Sequence, residues 1–494
     1  MKKRGIEMPM KFSILDDDEV YSIHQSILET FDNVWIRIDD DYVLDLLKNA
    51  GASVEKEKKI VRIPSYLVEE AIRGSPKIFT LYGRDKDHRV KLEKDKVYSV
   101  LSSTTPNVMD LNTGARIHGT KDYIGKAARI ADALPNYHVV PQFCLAMNYS
   151  STLGYAQDLH ELEAVVSNTS KPVMGLFYSP ETSKDFIDML SLIAGGIDEL
   201  RKKPSAFAYV EPSSPLEYSK EAAGIMVEWA KEGLPILCAP IVQSGATGPV
   251  TLAGTLVQSF VESLTGLVII HLIRKGTPFV IGAVSTVLDM KTGVMAYGAP
   301  EFSVINAAAS QLAKYYGLPF FGTGGCSDSK VIDGQAVGES ATSLLFVMLS
   351  HTNLIHDQGY IESGLTGSLE MVVIDNELFG MCKRIVDGMK INDESLAVDI
   401  IEKVGPRGHY LGEKHTLKHM LEEHWMPSLM DRSPYSKWCG SGGKDLALRA
   451  RERALKILKE HQPEPIPKDV HGELIHIIEK REKIIRKKCN QESK

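Results

Sequence analysis

Cysteine is scarce: 6 in 494 residues, at positions 144, 238, 326, 382, 439 and 489, with no CxxC spacing among them. That excludes a disulfide-stapled scaffold and a zinc ribbon, and it fits a reducing compartment. The most apolar runs, GLVIIHLI (266–273) and SLLFVML (343–349), stop well short of the roughly 18 residues a membrane span needs. The opening MKKRGIEMPMKFSILDDDEV is charged with no apolar stretch behind it, so no signal peptide is expected. A cytoplasmic protein with no membrane role follows as the expectation. Excess basic charge is missing too: Lys and Arg number 57 against 64 Asp and Glu, net −7, which argues against a nucleic-acid partner. There is no GxGxxG after an early strand, no GxxxxGK[ST] and no HExxH, and His160, His271, His351 and His356 show no ligand spacing. Dinucleotide-binding, P-loop and zincin chemistry lose their sequence support, and no metal site is expected. Internal repeats and low-complexity tracts are also absent.

What is present is ordinary globular material, 43% hydrophobic and 24% charged. Residues 1–92 mix short helical and strand patterns, and read as an α+β extension. Asp16-Asp-Asp-Glu19 precedes apolar Val20, Ile23, Ile27 and Leu28, the pattern of a capped amphipathic helix. From about residue 93 to 385, short apolar runs alternate with helical stretches. The runs are VYSVLSS (97–103), HVVPQFC (138–144), PVMGLFY (172–178), FAYVEP (207–212), PILCAPIV (235–242), PFVIGAV (278–284), LPFFGTGG (318–325) and NLIHD (353–357). Near-continuous apolar strands imply burial on both faces, as in a parallel sheet. Helices are expected over Lys121–Leu134, Ser219–Lys231, Thr251–Lys275, Glu301–Tyr316 and Gly334–Leu349. Strand–helix alternation about eight times reads as a TIM (β/α)₈ barrel, with an open doubly wound sheet as the alternative. Residues 386–494 read as a helical extension packing on the barrel, ending in the basic amphipathic ELIHIIEKREKIIRKK.

In such a barrel, chemistry is built at the C-terminal strand ends. Those ends hold hydroxyls, glycines and aromatics, but few carboxylates. Glu211 and Asp289 are the pair a glycosidase would need, though sequence gives no separation. GATGPVT (245–251) and GTGGCSDSK (322–330) suit either tight turns or close backbone approach to a bulky ligand. Cys326 in the second loop reads as a buried thiol unless a base lowers its pKa. Gln335 and Glu339 fall one turn apart on the helix that follows, and His351 lies twelve residues beyond Glu339. His356 and Asp357 close the last strand. Tyr98, Phe143, Phe177, Tyr178, Tyr209, Phe320 and Phe321 lie on strands; most strand aromatics are core, yet a cluster of them in a barrel mouth can hold a quaternary ammonium by cation–π contact.

Four strings go further: 245–282, 288–340, GYIESGLTGSLEMVVIDNE (359–377) and PSLMDRSPYSKW (427–438). In order and spacing, from about Asp110 to Trp438, they closely resemble the trimethylamine methyltransferase family. The resemblance implies a TIM barrel that moves a methyl group from a methylated amine to the Co(I) corrinoid of a small partner protein. It also implies no tightly bound cofactor of the chain's own, and a homo-oligomer. Family members that use trimethylamine carry pyrrolysine in the barrel, whereas this sequence holds only standard residues. Members without it are similar to betaine methyltransferases, and glycine betaine becomes the leading substrate. Displacement from a fixed cation needs positioning rather than acid–base help. Tyr98, Phe177, Tyr209 and Phe321 are the expected cation cage, with Gly324, Gln335 and His351 as polar partners, His351 taking a substrate carboxylate. Gly245, Thr247, Gly248 and Gly325 are expected to let the partner's corrin approach. The alternatives are another methylamine as substrate, a lyase or hydrolase using Glu339 and Asp328 as acid–base groups, or a non-catalytic binding paralogue.

Overall fold

The computed structural model describes residues 12–149 and 156–492. The N-terminal part forms as its caps dictate. Asp16 accepts from the Glu19 amide while the Glu19 side chain reaches back to the Asp16 amide, so helix Asp17–Asn33 starts with a capping box. Its Val20, Ile23, Ile27 and Phe31 are buried along one stripe. Helices Asp41–Asn49 and Ser65–Gly74 follow, together with a small antiparallel sheet and the hairpin Phe79–Tyr82/Arg89–Leu92.

A seven-stranded parallel sheet comes next, from strands Tyr98–Leu101, Val173–Gly175, Ala206–Val210, Ile236–Cys238, Phe279–Gly282, Phe320–Thr323 and Leu354–Gln358. The first strand pairs with the last, and the rest neighbour one another in sequence order. The sheet is curled around an interior, and strand alternation shows it. Tyr98, Met174, Phe207, Tyr209, Leu237, Val280, Phe321 and Leu354 form one buried cluster inside. Their neighbours Leu101, Val173, Ala208, Ile236, Ile281, Phe320 and Ile355 pack outward against the helices. Both faces are therefore apolar, which is why the strands read as continuous apolar runs. Parallel bridges from residues 139 and 140 reach both edges of the sheet, Val100↔Val139 and Val140↔Val173.

Helices Lys121–Ala133, Lys220–Glu232, Leu252–Ile273, Pro300–Tyr315 and Gly334–Leu349 lie within a residue or two of the expected spans. Helix Leu252–Ile273 is the one described helix long and apolar enough to cross a membrane, longer than its apolar core GLVIIHLI suggested; 78% of its apolar window is buried against its neighbours. Helix Leu369–Val386 is the last against the sheet, and its buried Glu377 accepts from the amides of Ser428, Leu429 and Met430 and from the Ser428 hydroxyl. That one carboxylate anchors the PSLM segment. Helix Lys468–Glu492 closes the chain and packs on helix Pro180–Ala194, burying Leu474 and Ile478.

Candidate functional site

The strand Leu354–Gln358 carries the site's most unusual geometry. Its register against Tyr98–Leu101 slips between Ile355 and Gln358, and Asp357 takes φ +82°, a left-handed conformation that non-glycine residues rarely adopt. Consecutive strand residues normally face opposite sides, and a bulge of this kind re-aims them. His356 and Asp357 are thereby brought together, Nδ1 lying 2.5 Å from Oδ1. Both are buried, yet Asp357 Oδ2 and both ring nitrogens of His356 have no hydrogen-bond partner among the described residues. Burying an unsatisfied carboxylate oxygen costs about 1–3 kcal/mol or more, and the backbone strain adds roughly 1–3 kcal/mol. A fold carries such a cost where function requires it.

Aromatic rings surround this pair. The His356 ring lies 5.2 Å from Phe321 and 5.9 Å, edge-on, from Tyr360. Tyr360 meets Tyr297 at 6.4 Å, and Phe321 meets Tyr209 at 6.0 Å. Burial pushes the hydroxyls of Tyr209, Tyr297 and Tyr360 and the Cys326 thiol upward, and the Asp357 charge raises all four further. Neutral phenols and an inert thiol therefore face the Asp357 carboxylate in largely apolar surroundings, while the Tyr209 hydroxyl also donates to Glu211 at 3.3 Å, a carboxyl that burial lifts to about 7. Tyr360 also bridges across the chamber, its hydroxyl accepting from the Ser103 amide and donating to the Ser103 carbonyl. Tyr209 borders an outer cavity of about 380 Å³ lined also by Leu176, Phe177, Tyr178, Glu211 and Glu221.

The walls are pinned by carboxylates. Asp375 accepts from the Gly359 amide at 2.7 Å and the Ser340 hydroxyl at 2.5 Å, fixing the turn just after Asp357. Asp328 accepts from the amides of Tyr297 and Gly298, both at 2.9 Å, and from Ser363 Oγ. Glu339 accepts from Ser327 Oγ, the Asp328 amide and Gln335 Nε2. Gly298 is required there, since a Cβ would fall 2.4 Å from the Glu339 carboxyl carbon. Asp328 and Glu339 are thus occupied by the loops that present Tyr297. They pin those loops, and the acid–base pair expected of them has no free oxygen to act with.

Of the residues expected from sequence to bind substrate, the structure brings Tyr209 and Phe321 together in the chamber and sets the others elsewhere. Tyr98 begins its strand, at the opposite end of the sheet, where its hydroxyl bonds the Lys91 amide and carbonyl. His351 precedes the strand Leu354–Gln358 and lies near the Asp95 carbonyl, at that same far end. Phe177 packs between Phe186 and Trp229 of the helical layer. Gln335 is exposed and holds Glu339. Gly324 is buried, its amide donating to the His356 carbonyl.

The glycine loops differ from expectation as well. The amides of Thr247 and Gly248 turn inward to the Gln243 carbonyl, and the Gly245 amide to the Gly248 carbonyl. Gly325, at φ +88°, is buried against Gln358 and Leu344. These glycines make tight turns rather than an open cradle; exposed Val250 and Met290 stand at the rim instead. His356 and Asp357 were visible at a strand end, but nothing in the sequence announced the bulge that joins them. Tyr297 and Tyr360 lie in excursions beyond the strands, where no periodicity points inward.

The family model described as trimethylamine methyltransferase (MTTB) matches residues 3–485. The trimethylamine methyltransferase MttB of Desulfitobacterium hafniense is 34% identical over 466 residues, covering 94% of this chain and 93% of that protein. A glycine betaine methyltransferase of Desulfitobacterium hafniense strain Y51 is 29% identical over 481 residues, covering 96% of this chain and 98% of its own. In fold, the chain is similar to the crystal structure of the Methanosarcina barkeri monomethylamine methyltransferase, with TM-score 0.53 at 11% identity over 92% of this chain and 90% of that one. With a TIM-barrel-like sheet around a buried aromatic chamber and a family match over nearly its whole length, the chain belongs to the trimethylamine methyltransferase family and is a methyltransferase.

Proposed function

We propose that the chain takes a methyl group from a quaternary amine, glycine betaine first among them, and delivers it to the Co(I) corrinoid of a small partner protein in the cytoplasm. The scaffold is read as a complete eight-stranded barrel, since residues 139 and 140 bridge both sheet edges. One observation carries the reading: a carboxylate oxygen, Asp357 Oδ2, buried without a partner inside a ring of Phe321, Tyr209, Tyr297 and Tyr360. A trimethylammonium group is large, permanently positive and unable to donate a conventional hydrogen bond. Aromatic faces and one negative charge are what such a group needs, at about 0.5–2 kcal/mol for each good cation–π contact.

The corrinoid would supply a nucleophile strong enough to take a methyl group without its prior activation. This chain's residues do the rest. The aromatic walls exclude water and hold the cation, so that one N-methyl group points outward. As the C–N bond breaks, nitrogen keeps the electron pair and leaves as a neutral tertiary amine, so no proton moves. Preorganised walls and a fixed charge supply the rate advantage. For a betaine, His356 would take the role expected of His351, and it donates to the substrate carboxylate only in a ring form that carries a proton on Nε2. The exposed apolar rim at Val250 and Met290 suits a flat ring better than the inward-turned glycine loops do. The test mixes the protein with a reduced corrinoid partner and glycine betaine, carnitine, proline betaine, choline or trimethylamine in turn. Loss of the Co(I) spectrum with a betaine alone supports the reading, and turnover with trimethylamine alone overturns it.

A further inference from the structure

The outer cavity beside Tyr209 holds acids without a counter-charge. Its volume of about 380 Å³ lies in the range of small-molecule sites, roughly 300–1,000 Å³. Glu161, Glu211 and Glu221 line it, and no Lys, Arg or His does so among the described residues. Glu161, on helix Gln157–Asn168, is 1% exposed. Its Oε1 accepts from the Ala146 amide at 2.7 Å and from Gln157 Nε2 at 2.8 Å, while Oε2 has no partner. With Oε1 committed, Oε2 is the oxygen left for whatever fills the cavity. Glu211 lies just past strand Ala206–Val210 and is open to the cavity, its contact being the Tyr209 hydroxyl at 3.3 Å.

Desolvation lifts Glu211 to about 7 and Glu161 to about 8, and no cation of the chain acts on either to bring it back. An incoming positive charge stabilises the charged form of such carboxyls. The other walls decide which cation. Phe177, Tyr178, Tyr209, Leu145 and Leu176 make them aromatic and apolar. The Glu161 charge raises the Tyr178 hydroxyl, which puts ring and acid side by side. A bare metal ion needs several oxygen ligands at about 2.0–2.6 Å, and no group of three or more His, Cys, Asp or Glu among the described residues is placed to hold one. An alkylammonium ion suits aromatic and apolar walls that carry negative charge. A zwitterion would set its own carboxylate against three acids, so the cavity selects ammonium ions that lack one.

We infer that this cavity is a second binding site, taking a small ammonium ion without a carboxylate, of the kind of choline, apart from the chamber around Asp357. It does not rest on the substrate proposed for the chamber: Asp357→Asn reports on that site and the two glutamates on this one, so either can fail while the other stands. Saturation-transfer NMR of the full chain with choline tests it, with and without excess glycine betaine. Choline should stay bound under excess glycine betaine, and neohexanol, its uncharged carbon isostere, should not bind. E161Q/E211Q should weaken choline at least about tenfold, since two fixed acids are removed. Its far-UV circular dichroism should match the wild type, because Gln at 161 keeps the acceptor for the Ala146 amide and Gln157. E211Q alone should weaken choline in the same direction. Displacement of choline by glycine betaine overturns the inference. So does a folded E161Q/E211Q protein that binds choline like the wild type, or neohexanol that binds as well as choline.

Discussion

The two ends of the barrel obey opposite rules. At the N-terminal end most polar groups around the strand starts are tied into hydrogen bonds, and the buried atoms without a partner are the neutral hydroxyls of Ser205 and Thr352. The hairpin Phe79–Leu92 pushes Leu81, Val90 and Leu92 into the interior, and Tyr98 bonds Lys91 through its hydroxyl. Asn353 donates to the Lys94 and Lys96 carbonyls and accepts from the Phe320 amide. At the C-terminal end a bulge, a left-handed aspartate and an unpartnered carboxylate oxygen lie within one aromatic chamber. The same strands run between the two, so the difference is not one of scaffold. One end ties most of its polar groups together, while the other leaves a buried carboxylate oxygen without a partner.

This contrast can be broken by mutation, and the mouth should show the largest effect. Asp357→Asn should lower methyl transfer by about 100-fold or more, the scale of losing one preorganised charge in a dry site. Its melting temperature should change little, since Oδ2 has no protein partner to lose; steady-state kinetics beside calorimetry separates the two. Asp328→Ala abandons the Tyr297 and Gly298 amides and should destabilise by roughly 2–3 kcal/mol, read by urea unfolding. Phe321→Leu keeps bulk but removes a ring face, and KM for the quaternary amine should rise about tenfold, the worth of a good cation–π contact, with a smaller change in kcat.

Smaller effects come from buried acids and from the sealed end. Burial lifts Asp158 to about 7, and Glu161 and Asp375 to about 8. In the unfolded chain these carboxyls return to the ordinary range, so the native state binds the extra protons. Their contribution is complete at low pH and is lost as pH rises through these values, so melting temperature should fall from about pH 5 to about pH 8. Glu161→Gln keeps the acceptor for the Ala146 amide and Gln157; it should flatten that slope and gain on the order of 1 kcal/mol at the alkaline end. Tyr98→Phe should cost about 1 kcal/mol of stability and leave KM unchanged. A KM effect there would erase the distinction between the two ends.

The scaffold was legible because burial on both faces leaves a strong mark: each of the eight apolar runs overlaps a strand or contains the bridged residues 139 and 140. The site was legible only in part. Tyr209 and Phe321 were identified because they sit on inward-facing strand positions. Tyr98 was placed with them because a strand residue's chemistry says nothing about which end it occupies, and along a strand each residue adds about 3.3 Å. His351 suited the carboxylate by type, but three residues later the strand begins, so it belongs to the closed end. His356 and Asp357 needed a register slip to meet, and such slips arise from tertiary pairing rather than local pattern. The family strings pointed to the chemistry, but the bulge and the aromatic ring proposed to serve it appear only in three dimensions.

The central claim is that His356 and Asp357, not the polar groups of the far end, hold the substrate. The most direct measurement is the initial rate of Co(I) consumption on mixing reduced corrinoid partner with glycine betaine and, separately, wild type, His356→Ala, Asp357→Asn and His351→Ala. The account predicts that His356→Ala and Asp357→Asn lose most of the rate while His351→Ala stays close to wild type. A folded Asp357→Asn enzyme with wild-type rate, beside a His351→Ala enzyme that has lost it, would contradict the account.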